Sequence, residues 1–391
     1  MPMAASSTSI RRLSISTPAA CSAARSGWWR TAPSASGAAS GMTTDDIEFE
    51  VRGGTGIVTL NRQKALNALT HPMVRALSAR LAAWKDDEGV RAVLVRAAPG
   101  RAFCAGGDIR AVAERVAVDG PDAVLPFFGD EYRMNWRIRH FPKPFVALMD
   151  GITMGGGVGI SVHGRFRVVT DNTMFAMPET GIGMFPDVGG TAFLPRLPGE
   201  LGTYMALTGA RLDGRDCRSV GIGTRFVDAA RLGELQEAIV AGEDVGAVLA
   251  EFDEPVERSA IDGHRVEIDR LFAGEHLRDV IAALRGSKTA FAQETLAVLE
   301  SKSPISVGIA FHQVRLGRKL DFAECMRLEY RLVRHVMAHG DFHEGVRALI
   351  IDKDKAPRWQ LAHLDEVSDE AVEAFFRPWD GDRLTFDWRS V

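Results

Sequence analysis

Two runs of glycine, each at the end of a short apolar strand, constrain this chain more than any other feature. Phe103-Cys-Ala-Gly-Gly-Asp-Ile-Arg110 follows the strand-like Ala92–Arg96, and Asp150-Gly-Ile-Thr-Met-Gly-Gly-Gly-Val-Gly-Ile160 follows Phe145–Met149. Glycine lets a ligand approach the backbone closely, and N–H groups at a helix start are ready donors to an anion. Two such turns brought together make an oxyanion hole, which holds negative charge on a carbonyl oxygen. For one turn alone, close packing of helix on strand is the simpler explanation.

Around these turns the apolar pattern switches between two periods. Phe49–Arg52, Gly56–Leu60, Phe166–Thr170 and Met174–Met177 read as strands. Thr70–Lys85 reads as a helix with Val74, Leu77, Leu81 and Trp84 on one face and Thr70 as its N-cap. Gly155–His163 reads as a helix opening from a glycine turn. The alternation predicts an α/β fold with crossover helices packed on sheet. Beyond Phe252 the pattern turns helical: Val266–Leu271, Leu277–Leu284, Thr289–Ser301, Ile305–Gly317 and Phe322–Ala338, with no strand of useful length after Phe226. A core over residues 42–245 and a helical region over 246–391 are therefore expected. Residues 1–41 lack Asp and Glu and carry Arg11, Arg12, Arg25 and Arg30 among Ser and Ala. They read as a disordered leader, either a transit peptide or translated sequence upstream of a start at Met42. Arginine far outnumbers lysine, as GC-rich coding sequence would give, which points to a bacterial cytoplasm. A transit peptide would point instead to the mitochondrial matrix.

Several function classes fall away. The 391 residues carry a formal charge of −4, so no global basic field recruits nucleic acid or an anionic membrane. Cys21, Cys104, Cys217 and Cys325 include no CxxC pair, and no run approaches ~20 apolar residues. No GxxxxGK[ST] occurs, GxGxxG fails at Ile160 and Val162, and His163 breaks a GxSxG around Ser161. His335, His339 and His343 are spaced for one helix face, but Gly340 interrupts it, so no metal is expected. A third cluster, Met177-Pro-Glu-Thr-Gly-Ile-Gly-Met-Phe-Pro-Asp-Val-Gly-Gly190, sets Glu179 and Asp187 in an apolar, glycine-rich loop. Burial and mutual repulsion can push two such carboxyls apart in pKa and divide acid from base work. An N-cap and a solvated loop acid would be the plainer roles.

Taken together, Phe103-Cys-Ala-Gly-Gly-Asp108, Gly155-Gly-Gly157 and Pro178-Glu179 resemble the enoyl-CoA hydratase/isomerase (crotonase) superfamily in order and spacing. The stretch Asp341-Phe-His-Glu-Gly-Val-Arg-Ala-Leu-Ile-Ile-Asp-Lys-Asp354 extends the likeness, which is strongest to a branch hydrolysing branched 3-hydroxyacyl-CoA thioesters in valine breakdown. The resemblance implies a spiral of repeated ββα units followed by a helical region, binding an acyl-CoA. It implies an oxyanion hole from the amides of Gly107 and Gly156, catalytic Glu179 and Asp187, Glu131 lining the substrate pocket, and Arg110 near the CoA phosphates. One hydratase glutamate falls at Gly159, which disfavours hydration. It implies no cofactor beyond the CoA of the substrate, and a small homo-oligomer. Hydration or isomerisation of an enoyl-CoA, and acyl-CoA binding without turnover, are the alternatives. Asp341–Arg347 is expected to complete the site, with Phe342 near the adenine and Arg347 or Lys353 at the phosphates; a Glu344–Arg347 pair at a helix junction is the plainer role.

Overall fold

The apolar alternation on either side of Gly53-Gly54 closes as a hairpin. In the computed structural model, which describes residues 45–389 apart from 243 and 258, β1 (Ile47–Arg52) pairs antiparallel with β2 (Thr55–Leu60). Strands β3 (Ala92–Ala97), β5 (Phe145–Met149), β7 (Phe166–Val169) and β10 (Arg225–Phe226) extend it in parallel, in the order β1-β2-β3-β5-β7-β10. After β3, β5 and β7 the chain steps into a second sheet through β4 (Ala102–Cys104), β6 (Ile152–Met154) and β8 (Met174–Ala176). Strand β9 (Leu212–Asp213) completes that sheet antiparallel to β8. Strand pairs stepping along two sheets with helices between them are the predicted ββα spiral.

Burial explains the sequence pattern. Ala92, Val93, Leu94 and Val95 are all fully buried, so β3 reads as a continuous apolar run. One face of the larger sheet (Ile57, Leu94, Val146, Leu148, Val168) packs under Leu235, Ile239 and Leu249 of the helices Leu232–Ala241 and Val245–Phe252. The helix His71–Asp86 begins where Thr70 Oγ1 accepts the Met73 N–H, and it buries the four predicted apolar residues. The helix expected over 155–163 is one turn, Gly156–Gly159. Glycine at 155, 156, 157 and 159 costs about 1 kcal/mol per helical position relative to alanine, which accounts for its shortness.

Beyond β10 the described residues form helices close to the predicted ranges: Arg265–Phe272, Leu277–Gly286, Ala290–Glu300, Pro304–Gly317 and Phe322–Ala338. The last begins with a reciprocal cap between Asp321 and Glu324. It packs on the helix Leu125–Arg139 and on the short helix Gly190–Phe193. The expected leader 1–41 lies outside the described residues.

Candidate active site

Strands β4 and β6 lie side by side, with Cys104 opposite Thr153, so the two glycine runs that follow them meet. Gly155 has φ +47°, and a Cβ there would lie 3.2 Å from Gly106 Cα and 3.4 Å from Glu179 Oε1. An L side chain fits neither that conformation nor that contact. Gly156 opens its helix, so its N–H has no intrahelical acceptor. Neither it nor the Gly107 N–H has an acceptor among the described residues.

These amides face a cavity of about 710 Å³, and all six residues singled out from the sequence line it: Gly107, Arg110, Glu131, Gly156, Glu179 and Asp187. Glu131 comes from the helix Leu125–Arg139 and sits over Gly156, whose absent Cβ would lie 2.8 Å from Glu131 Oε1. Glu179 begins the single turn Glu179–Ile182 directly after β8. Glu131 Oε1 and Glu179 Oε2 are buried without a hydrogen-bond partner. Asp187 accepts a hydrogen bond from the Tyr132 O–H at 2.8 Å. Gly159 offers no place for another acid: a Cβ there would lie 2.7 Å from Asn135 Nδ2 and 2.8 Å from Val188 Cβ.

The mouth departs from expectation. Phe342 is fully buried in the helix Gly340–Val346, which braces the Glu179–Ile182 turn from behind, so it is not available to an adenine. Arg347 is held by Glu344, Asp352 and Asp354 at 2.6–2.7 Å, and Lys353 lies outside the cavity lining. The plainer reading, a Glu344–Arg347 pair, is what the chain forms. The C-terminal region instead enters the cavity through Leu349 and Ile350, in a π-turn (Arg347–Ile351) whose Ile350 carbonyl accepts from Arg110 Nη2 at 2.8 Å. His335 meets the Arg377 carbonyl and His339 accepts from the Asp341 N–H, so these histidines serve separate contacts.

Three groups at the site carry no motif. Lys302 lines the cavity, and burial followed by Arg211 lowers its ammonium pKa. Of the lining cations, Arg62 is paired with Asp108 and Asp46, whereas Arg110 and Lys302 have no carboxylate partner among the described residues. Tyr132 reaches Asp187 from one helix. Glu329, on the helix Phe322–Ala338, accepts the N–H groups of Gly189 and Thr191, each at 2.8 Å.

Four buried carboxyls thus lie in one region. Burial raises all of them, and their proximity to Asp187 raises Glu131, Glu179 and Glu329 further. Asp187 reaches about 7, held down by the Tyr132 O–H and its own backbone amide, and Glu329 about 8. Burial and this crowding favour the neutral form of each carboxyl, so the cluster holds protons well above the usual carboxylate range. The turn carrying Asp187 is strained: Val188, β-branched and buried, has φ +49°, a conformation that costs about 1–3 kcal/mol. Its carbonyl meets His163 Nε2 at 2.7 Å. Burial lowers the His163 pKa to about 4, so the ring is neutral and Nε2–H is the donor.

Two amides without acceptors beside buried carboxyls, at the meeting of two sheets, can hold negative charge on a carbonyl oxygen while an acid or base acts on it. The chain matches the enoyl-CoA hydratase/isomerase family over residues 55–376 and belongs to that family. The human protein named 3-hydroxyisobutyryl-CoA hydrolase, mitochondrial, is 42% identical over 353 residues, covering 88% of this chain and 91% of its own. The rat protein of that name is 44% identical over 344 residues, covering 85% and 89%. Among solved structures, a carnitinyl-CoA dehydratase from Mycobacterium thermoresistibile superposes with TM-score 0.84 at 42% identity, covering 88% of this chain and 99% of its own. An enoyl-CoA hydratase from Rhodobacter sphaeroides 2.4.1 gives 0.82 at 40% identity, covering 87% and 100%.

Proposed function

We propose that this chain hydrolyses the thioester of 3-hydroxyisobutyryl-CoA to 3-hydroxyisobutyrate and CoA. The observation that carries this is that Glu179 and Asp187 line one cavity with the Gly107 and Gly156 amides, which have no acceptor among the described residues, while Gly159 leaves no room for a side chain. The hydrolase relatives support it by name, and the dehydratase and hydratase titles supply the competing reading. Adding water across a double bond asks for a second acid where Gly159 stands; thioester cleavage does not.

In this reading the amides of Gly107 and Gly156 bind the thioester oxygen and hold the negative charge that develops on it; losing one such donor costs about 2.7–4 kcal/mol. Glu179, once ionised, delivers oxygen to the carbonyl carbon, either by direct attack or by taking a proton from water. The C–S bond breaks, and CoA leaves as a thiolate that takes up a proton. Asp187 is placed to receive the Glu179 proton or to hold the substrate hydroxyl. Direct attack makes a mixed anhydride; water attacking its Glu179 carbonyl leaves solvent oxygen in Glu179, so ¹⁸O found in the protein after a single turnover in ¹⁸O-water identifies that route. No cofactor enters either route.

The deciding experiment compares free-thiol release from 3-hydroxyisobutyryl-CoA with hydration of crotonyl-CoA. Thiol release is expected to dominate; hydration far faster than thiol release overturns the assignment. Because an ionised carboxylate must act and burial raises Glu179 well above the usual carboxylate range, kcat/KM should rise about tenfold per pH unit through the range above ordinary carboxyl titration before it levels off. A profile that falls across that range contradicts the role given to these acids. Arg110 and Lys302 are taken to meet the CoA phosphates. Lys302→Ala should raise KM roughly tenfold with little change in kcat, the worth of one charged hydrogen bond; an unmoved KM removes Lys302 from the site.

The relatives' names place those proteins in mitochondria, and the acid-free, Arg-rich residues 1–41 suit an import leader. A reporter carrying only these residues should enter mitochondria, and one that stays outside rejects the assignment. A small homo-oligomer is the proposed assembly; a sedimentation mass of 42.5 kDa at micromolar concentration excludes it.

A further inference from the structure

The turn Pro186–Thr191 carries Asp187 and is gripped from three directions. Its Val188 sits at φ +49°, where a β-branched residue does not rest unaided. Behind it, His163 donates to the Val188 carbonyl at 2.7 Å, its ring held edge-on by Phe322 at 4.8 Å between centroids. Below it, the two carboxylate oxygens of Glu329 each accept one amide, from Gly189 and Thr191. Gln313 donates to the Pro186 carbonyl and to Thr191 Oγ1. Glu329 and Gln313 belong to the C-terminal helices and do not line the cavity.

We propose that Glu329 and His163 are positioning residues, holding Val188 in its left-handed conformation and so aiming the Asp187 carboxyl into the cavity. A peptide left to itself would relax Val188 toward φ < 0. That rotation adjoins Asp187, so it swings the carboxyl away from Tyr132 and Glu179. A carboxyl group is what this grip requires: the two amides converge on one side chain as donors, and both carboxyl oxygens can accept, whereas a carboxamide presents one acceptor and one donor. The C-terminal helices therefore complete the site chiefly from behind, by fixing the loop.

This inference rests on the hydrolase reading, through the role given there to Asp187. Glu329→Gln keeps the volume but sets its amide nitrogen against one of the two N–H groups. It should lower kcat for thiol release roughly 10–100-fold, as misplacement of a reacting group does, while KM stays within about twofold. Glycine adopts φ +49° without strain, so in a Val188→Gly background the Glu329→Gln loss should shrink to a few-fold, a non-additive pair. His163→Phe, which keeps the ring packing and removes the donor, should behave in the same way, and it decides the question if Glu329→Gln does not fold. A folded Glu329→Gln with unchanged kcat, an effect confined to KM, or an equal loss in both backgrounds overturns the positioning role alone. An unsubstituted chain that releases no thiol overturns the hydrolase reading and this role with it.

Discussion

Glu179→Gln should lower thiol release from 3-hydroxyisobutyryl-CoA by ~10²–10⁴ while leaving thioester binding within a few-fold. The carboxyl has the position the chemistry asks for: it is 6% exposed, one oxygen has no partner, and the other adjoins the Gly155 turn that leads into Gly156. Burial and Asp187 already favour its neutral form, so an uncharged isostere should not unfold the loop. The measurement therefore reports chemistry rather than damage. Release within tenfold of the unsubstituted rate would remove Glu179 from the reaction. Tight thioester binding with no turnover by the unsubstituted chain would favour a binding protein instead.

Much of the fold was legible because its signals are local. The strand β5 runs over Phe145–Met149 and the helix Phe322–Ala338 over the expected range because each has one dominant period and clear punctuation. Thr70 caps its helix because a hydroxyl followed by Pro72 can do little else there. The expected helix over 155–163 shrank to one turn because periodicity ignores the cost of four glycines; their value lies in close approach. Strand β4 has three residues, too few for an alternation to register.

The site was legible where motif residues sit at strand ends, since parallel neighbours bring those ends together. That is why Gly107, Gly156 and Glu179 meet. Tyr132 follows Glu131 on one helix, Lys302 sits in the link between Ala290–Glu300 and Pro304–Gly317, and Glu329 lies inside a helix of ordinary pattern, so only the tertiary fold gathers them. Phe342 and Arg347 mislead for the opposite reason. Asp341–Arg347 has the abrupt glycine and mixed charge of a binding loop, but the aromatic ring is used for packing and the charge is neutralised within the segment.

Asp187→Asn should lose most thiol release and yet melt at a higher temperature than the unsubstituted protein, with the gap widening as pH rises. The sign follows from linkage. Folding raises the Asp187 pKa from 3.8 to about 7, chiefly through burial. Between those values the folded state holds a proton that the unfolded state releases, so stability from this group is complete below about pH 4 and lost by pH 7–8. For an isolated group such a rise is worth roughly 4 kcal/mol. Glu131 and Glu329 share the proton here, so a gain of about 1–3 kcal/mol at pH 8 is expected, fading toward pH 4. Asparagine keeps an oxygen for the Tyr132 O–H and cannot ionise, which isolates the charge from the hydrogen bond. Melting curves of both proteins from pH 4 to 9 decide it, and a gap that narrows with pH would mean that Asp187 is stabilised as the anion. A protein made more stable and less active by removing one buried charge is what a site paying in stability for function looks like, and here the strained Val188 next to Asp187 places both costs in the same turn.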